Sequence, residues 1–256
     1  MTGAVPTLGD WLAERPFALA MSSGFFGFFA HTGMLAALLE RGLVPTLVAG
    51  SSAGALVGGA WAAGLAPDAF AARLNTLERG DFWDPAPGAG LLAGRRFDRL
   101  LRELLPVRSM RDCHVPVRIS VFDILARRTV VLSDAELAPA IRASCAVPAL
   151  FHPVWIARRP YWDGGILDRL GLAGLADADR VLLHDLPARV PWLDPGAPGR
   201  PIASRAGMVS LVLDGLPRSG PFRLDAGRRA LVMARAATAR ALTAPIRDGM
   251  TRIHVE

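Results

Sequence analysis

The sequence predicts a single α/β domain spanning residues 1–256, with a mostly parallel central sheet flanked by helices. Two observations carry this. The first 64 residues read as strand, glycine loop, helix, strand, serine–glycine turn, helix, and strands joined through a helix run parallel. The chain of 256 residues is 52% hydrophobic, enough for one sizeable core, and no linker-like stretch divides it.

The elements follow in order. Phe17–Met21 is an unbroken apolar run, as expected of a buried first strand. Ser22–Gly27 is a tight loop, and a helix over Phe28–Glu40 is stopped by Gly42. Leu47–Ala49 is a second strand, followed by a small-residue helix over Ala53–Gly64. Pro67–Glu78 reads as a helix with proline in its first turn, and Asp84–Gly94 as a Pro/Gly-rich loop. Phe97–Leu105 is a short amphipathic helix. Val115–Val121 and Thr129–Leu132 are strands around a turn at Ala126-Arg127. Leu137–Ala143 is a helix, Val181–Leu183 a buried strand, Leu186–Arg200 a proline-rich loop, Asp225–Leu242 a long Ala/Arg-rich helix, and Arg252–Val255 an edge strand. The apolar stretch Phe17–Leu39 is long enough to suggest a membrane span. Gly24, Gly27 and Gly33 punctuate it and Ser22, Ser23 and His31 interrupt it, so the strand–loop–helix parse is preferred.

Charge and cysteines narrow the function. The formal charge is +6, and every basic residue is arginine. A positive chain favours anionic partners, but the arginines form no stripe or run with interleaved aromatics, which argues against nucleic acid. Cys113 and Cys145 suggest neither a disulfide framework nor a zinc site, and two reduced thiols suit the cytoplasm. Met1–Arg15 carries Asp10 and Glu14 and no basic stretch, so no secretory signal is expected. Arg228, Arg229, Arg235 and Arg240 on the last helix offer a basic face for peripheral contact with an anionic membrane.

Three short segments carry chemistry. Gly50-Ser51-Ser52-Ala53-Gly54 reads G-x-S-x-G between a strand and a helix, the setting of a nucleophile elbow. The loop Ser22-Ser23-Gly24-Phe25-Phe26-Gly27 also joins strand to helix, so its N–H groups can converge on negative charge. Trp162-Asp163-Gly164-Gly165 places a carboxylate where glycines allow close backbone approach. A fourth segment, Arg142-Ala143-Ser144-Cys145-Ala146-Val147-Pro148, names no reaction by its chemistry.

Taken along the chain as glycine loop, G-x-S-x-G, the Arg142 segment and then Asp-Gly-Gly, the four segments resemble the patatin-like phospholipase family, over about Phe17–Ile166 and more weakly over 167–256, where added strands and helices are expected. The resemblance implies a three-layer fold and lipid acyl hydrolysis by a Ser–Asp dyad, with no metal or other cofactor. It assigns the nucleophile to Ser52 and the base to Asp163. The oxyanion hole falls to backbone N–H groups of Ser23, Gly24 and Phe25, with Ala53 added from the following helix. Three departures stand out. Ser22-Ser23-Gly24 replaces a run of three glycines, Phe26 replaces an arginine with one extra residue before His31, and the proline often found after Asp-Gly-Gly is absent.

The chemistry is coherent. Serine is a poor nucleophile without a base, and burial makes a carboxylate a better one. Phe25, Phe26 and Trp162 are candidates for an acyl pocket, whereas Phe28 and Phe29 are expected in the core and His31 in a structural role. The expected substrate is a phospholipid or other acyl lipid. Two other readings stay open: a general esterase whose triad uses His184 or His254, and a catalytically silent binding protein on the same fold.

Overall fold

In the computed structural model, which describes residues 5–187 and 205–255, helix α1 (Leu8–Glu14) leads into strand β1 (Ala18–Met21). Then come α2 (Phe28–Glu40), β2 (Leu47–Ser51), α3 (Ala53–Ala62), α4 (Pro67–Asn75), β3 (Gly90–Leu92) and α5 (Arg95–Leu104). The middle holds β4 (Val117–Asp123), β5 (Arg128–Leu132), α6 (Leu137–Ser144), β6 (Ala149–Phe151), β7 (Val154–Ile156) and β8 (Arg159–Asp163). The last part holds β9 (Val181–Asp185), β10 (Met208–Asp214), α7 (Leu224–Leu242) and β11 (Met250–His254).

The sheet runs in the order β11-β10-β9-β1-β2-β4-β8-β7, with β5 also paired to β4. Every pairing from β11 to β4 along this order is parallel, and β5, β7 and β8 add an antiparallel end. The fold is a single α/β domain with a mostly parallel central sheet flanked by helices. Strand order reverses at β1, which lies between β2 and β9, and this kind of switch leaves a crevice at the strands' carboxyl ends. Met21 is level with Gly50 on one side and His184 on the other. The loops after β1 and β2 therefore leave the sheet side by side.

The two faces of the sheet differ. Alternate side chains Leu19 and Met21 join Val48, Ile119, Leu182 and the buried faces of helices α1 to α7 in one large core. The other face presents Ala18, Ala20, Ala49, Val181 and Leu183, covered by Leu170, Leu172 and the 3-10 turn Ala173–Leu175. Small residues on that face let a short segment lie close to the sheet.

Several sequence expectations shift. The apolar stretch Phe17–Leu39 folds as β1, a loop and α2, and no helix of the described residues is long and apolar enough to cross a membrane. Helix α4 stops at Asn75 rather than at residue 78, because the Glu78 side chain caps a 3-10 turn over Arg79–Asp81. The Asp84–Gly94 loop contains β3, which pairs with β6. Helix α1 and strand β10 were not anticipated. From residue 188 on, the proline-rich loop expected over Leu186–Arg200 lies outside the described residues.

Candidate active site

Ser52 sits between β2 and α3 with φ 52° and ψ −116°, a strained conformation for a residue with a side chain. Its flanking glycines explain how the turn closes. A Cβ on Gly50 would collide with the Gly54 backbone, and one on Gly54 with the Met21 carbonyl. The segment that named no reaction braces this turn. Ser144 Oγ accepts the Ser52 N–H at 2.8 Å and donates to the Ser120 carbonyl at 2.7 Å. Cys145 Sγ lies 3.3 Å from the Ser52 carbonyl it donates to, and Arg142 holds Asp98 on α5 at 3.3 Å.

Asp163 ends β8 and is buried. Its Oδ2 accepts the Ser52 hydroxyl at 2.7 Å and its Oδ1 accepts the Gly165 N–H at 2.7 Å. Its own N–H donates to the Ala146 carbonyl at 2.9 Å, which ties β8 to the α6 segment. Burial pushes the Asp163 carboxyl up to about 6, against the pull of the Ser52 and Gly165 hydrogen bonds. Gly164 permits this approach, since a Cβ there would strike the Ser120 carbonyl.

The loop after β1 reaches the same place. Ser23, Gly24, Phe25, Ser52, Ala53 and Asp163 all border one cavity of about 450 Å³. The Ser23 N–H does not face it: that group donates to the Arg169 carbonyl at 2.6 Å. This corrects the expectation for Ser23, because an N–H held by a carbonyl is not free for an oxyanion. The Gly24 and Phe25 N–H groups have no acceptor among the described residues. Ala53 opens α3, so its N–H has no acceptor one turn back in the helix. The two serines are accommodated without glycine: Ser22 Oγ accepts the Leu186 N–H at 2.9 Å, and Ser23 Oγ packs beside Gly165.

Beyond these groups the cavity is mostly apolar, with Arg73 on its wall. Phe25 and Phe26 line it, and so does Phe28, which was expected in the core. Phe29 is fully buried. Trp162 does not border the cavity, a second correction. Neighbouring residues on a strand face opposite ways, so Asp163 facing the site turns Trp162 away. The lining also includes Phe82, Trp83, Phe97, Leu100, Leu104 and Phe151, which sequence reasoning did not assign. A signal was present in α5, where Phe97, Leu100, Leu101 and Leu104 repeat at helical spacing.

A sequence profile for Patatin-like phospholipase matches residues 19–176, more than half of the chain. The chain belongs to the patatin-like phospholipase family. An uncharacterised NTE family protein of Mycobacterium tuberculosis is 36% identical over 168 residues, covering 64% of this chain and 47% of that protein. A Mycobacterium bovis relative matches equally well. The chain thus spans about half the length of the curated relatives it matches. VipD from Legionella pneumophila superposes with a TM-score of 0.57 at 15% identity, covering 89% of this chain and 67% of that one, which is a likeness of fold.

For a member of this family the placement of the histidines matters. None of the five borders the Ser52 cavity. His184 is fully buried on β9 against His31, and His254 lies on the edge strand β11, four strands from β2.

Proposed function

We propose that this patatin-like protein hydrolyses carboxylic esters of phospholipids or other acyl lipids through a Ser52–Asp163 dyad. The observation that carries the reading is the 2.7 Å hydrogen bond from Ser52 Oγ to a buried Asp163 carboxylate at the wall of an apolar cavity. Ser52 Oγ attacks the ester carbonyl carbon while Asp163 Oδ2 takes the hydroxyl proton. The oxyanion formed accepts from the Gly24, Phe25 and Ala53 N–H groups. Collapse breaks the C–O bond, and the leaving alcohol takes the proton from Asp163. A water molecule then attacks the acyl-serine, giving its proton to Asp163, and Ser52 recovers that proton as the fatty acid leaves. The raised pKa suits this work: above about 6 the carboxylate is ionised, yet it is a stronger base than an exposed aspartate. The acyl chain is assigned to the cavity walled by α4, α5 and β6.

The partner is a lipid surface, and the cavity mouth favours this over α7. Phe25 (60% exposed), Ile166 (40%) and Phe222 (70%) stand there, the exposed Leu167 (59%) follows Ile166 in the chain, and Arg79 lies 4.8 Å over the Phe222 ring. Phe25 and Ile166 line the cavity, and Phe222 meets its wall residue Trp83 edge to face. On α7, by contrast, Arg235 pairs with Glu40 and Asp68, and Arg228 with Asp225.

A fluorophosphonate probe tests the reading. Wild type is expected to label covalently, Ser52→Ala to remain unlabelled, and Asp163→Asn to lose about 100-fold or more in ester turnover. His184→Asn, whose amide stands where Nδ1 does, and His254→Ala, where they remain folded, are expected to turn over ester within about tenfold of wild type, since neither side chain reaches Ser52. Turnover that persists in Asp163→Asn but vanishes in either histidine variant would favour a triad. Folded wild type that neither labels nor turns over ester would favour a silent binding protein.

A further inference from the structure

The loop that presents the Gly24 and Phe25 N–H groups is tied down from behind by two buried histidines. His31 lies in the first turns of α2, and its side chain folds back so that Nε2 is 2.8 Å from the Ser22 carbonyl. Its other nitrogen, Nδ1, is 2.8 Å from Nδ1 of His184, and the rings meet edge to face with centroids 4.8 Å apart. Both side chains are fully buried. The ester hydrolysis proposed above uses neither.

The acceptors assign the protons. A carbonyl oxygen only accepts, so His31 Nε2 carries the hydrogen shared with Ser22. Nδ1 of a neutral His31 is then a lone pair, and His184 Nδ1–H donates to it. His184 Nε2 is left as a lone pair, and it has no donor among the described residues. Burial keeps both rings neutral: it lowers His31 to about 4 and holds His184 well below the ordinary histidine range. A second proton on His31 would set two N–H groups head to head at 2.8 Å.

Ser22 is the point of attachment. Its N–H donates to the His184 carbonyl at 3.2 Å, and its Oγ accepts the Leu186 N–H at 2.9 Å. The peptide that carries the Ser22 carbonyl also carries the Ser23 N–H, which the Arg169 carbonyl holds at 2.6 Å. Both polar ends of that peptide are therefore clamped, one residue before the first free N–H. We propose that His31 and His184 are positioning residues: the run from His184 Nδ1–H to His31, and from His31 Nε2–H to Ser22, sets the Ser22–Ser23 peptide plane and so aims the Gly24 and Phe25 N–H groups at the oxyanion. Such a group acts only where charge develops, so its loss appears in kcat rather than in KM.

The inference rests on ester hydrolysis at Ser52, and two measurements test it. The first compares His31→Gln and His31→Asn on a short p-nitrophenyl ester, with thermal midpoints recorded alongside. The glutamine amide reaches as far as Nε2 and can still donate to Ser22, whereas the asparagine amide stops at the position of Nδ1. Glutamine is expected to keep kcat within about threefold, and asparagine to lose about tenfold or more with KM within about twofold. Equal kcat in asparagine and wild type, or equal kcat losses in both variants, overturns the proposal. Should neither variant fold, the second measurement decides, because it needs no substitution at His31. Long-range proton–nitrogen NMR of histidine-labelled Ser52→Ala protein is expected to show His31 as the Nε2–H tautomer and His184 as Nδ1–H. The opposite tautomers, or a charged ring at neutral pH, overturn it. If Ser52→Ala keeps full esterase activity, the dyad reading fails instead, while the tautomers still report on the clamp.

Discussion

Asp163 shows at a single residue how a site can be set against stability. Its carboxyl titrates near 6 in the fold, raised from 3.8 by burial. The folded chain therefore binds more protons than the unfolded chain between these values, and Asp163 contributes less to stability as pH rises through about 6. At neutral pH the difference costs about 3 kcal/mol. Asp163→Asn removes that cost and keeps an oxygen for the Gly165 N–H. It is expected to raise the thermal midpoint by several degrees at pH 8, with the gain fading toward pH 4; a midpoint unchanged at pH 8 contradicts this. In wild type, kcat/KM for ester is expected to fall as pH drops through about 6, following protonation of the base. Ser52 and Asp163 were legible in the sequence because each sits in a short motif whose glycines have local steric causes. The Ser144 brace and the Arg169 carbonyl that takes the Ser23 N–H were not, since each acts from far along the chain.

At the scale of elements, the most extensive helix pair is α2 with α7. Gly33 makes the close approach possible: a Cβ there would overlap the Leu231 carbonyl and sit 3.0 Å from the Arg235 nitrogen. Backbone cannot yield as a flexible side chain can. Gly33→Ala is expected to cost about 1–3 kcal/mol, read as a lower denaturation midpoint with unchanged slope. Because α2 also carries His31, the same variant is expected to lower ester kcat; full stability would show that the helices can separate freely. The extents of α2 and α5 were readable from stop signals and apolar spacing. Strands β3 and β6 were not, because two three-residue strands have too few side chains to show a period and exist by pairing with each other.

At the scale of the whole molecule, the cavity and its rim determine what can bind. Arg228 and Arg235 of α7 are tied into ion pairs, and the exposed aromatics stand at the mouth instead. Replacing Phe222 and Leu167 together by serine is expected to reduce sedimentation with phosphatidylcholine–phosphatidylglycerol vesicles at least about threefold, and to leave hydrolysis of a soluble short ester near wild type. Replacing Arg229 and Arg240 by glutamate is expected to change vesicle binding less. The reverse order would return the membrane face to α7.

The sequence by itself determined the fold class, the elbow at Ser52, the aspartate before two glycines and their family, because these depend on residues close in the chain: strand periods, helix stops and glycines that admit close backbone approach. Tertiary structure alone decided which N–H groups remain free, which aromatics line the cavity, where the histidines go and which surface surrounds the mouth. Each of those depends on partners distant in sequence, such as Arg169 for Ser23 and His184 for His31, and on the side of a strand that faces the core. Ser52 was marked by its pentapeptide; Asp163, the base proposed for it, lies 111 residues further on, and only the packing of β8 beside β4 brings the two within 2.7 Å.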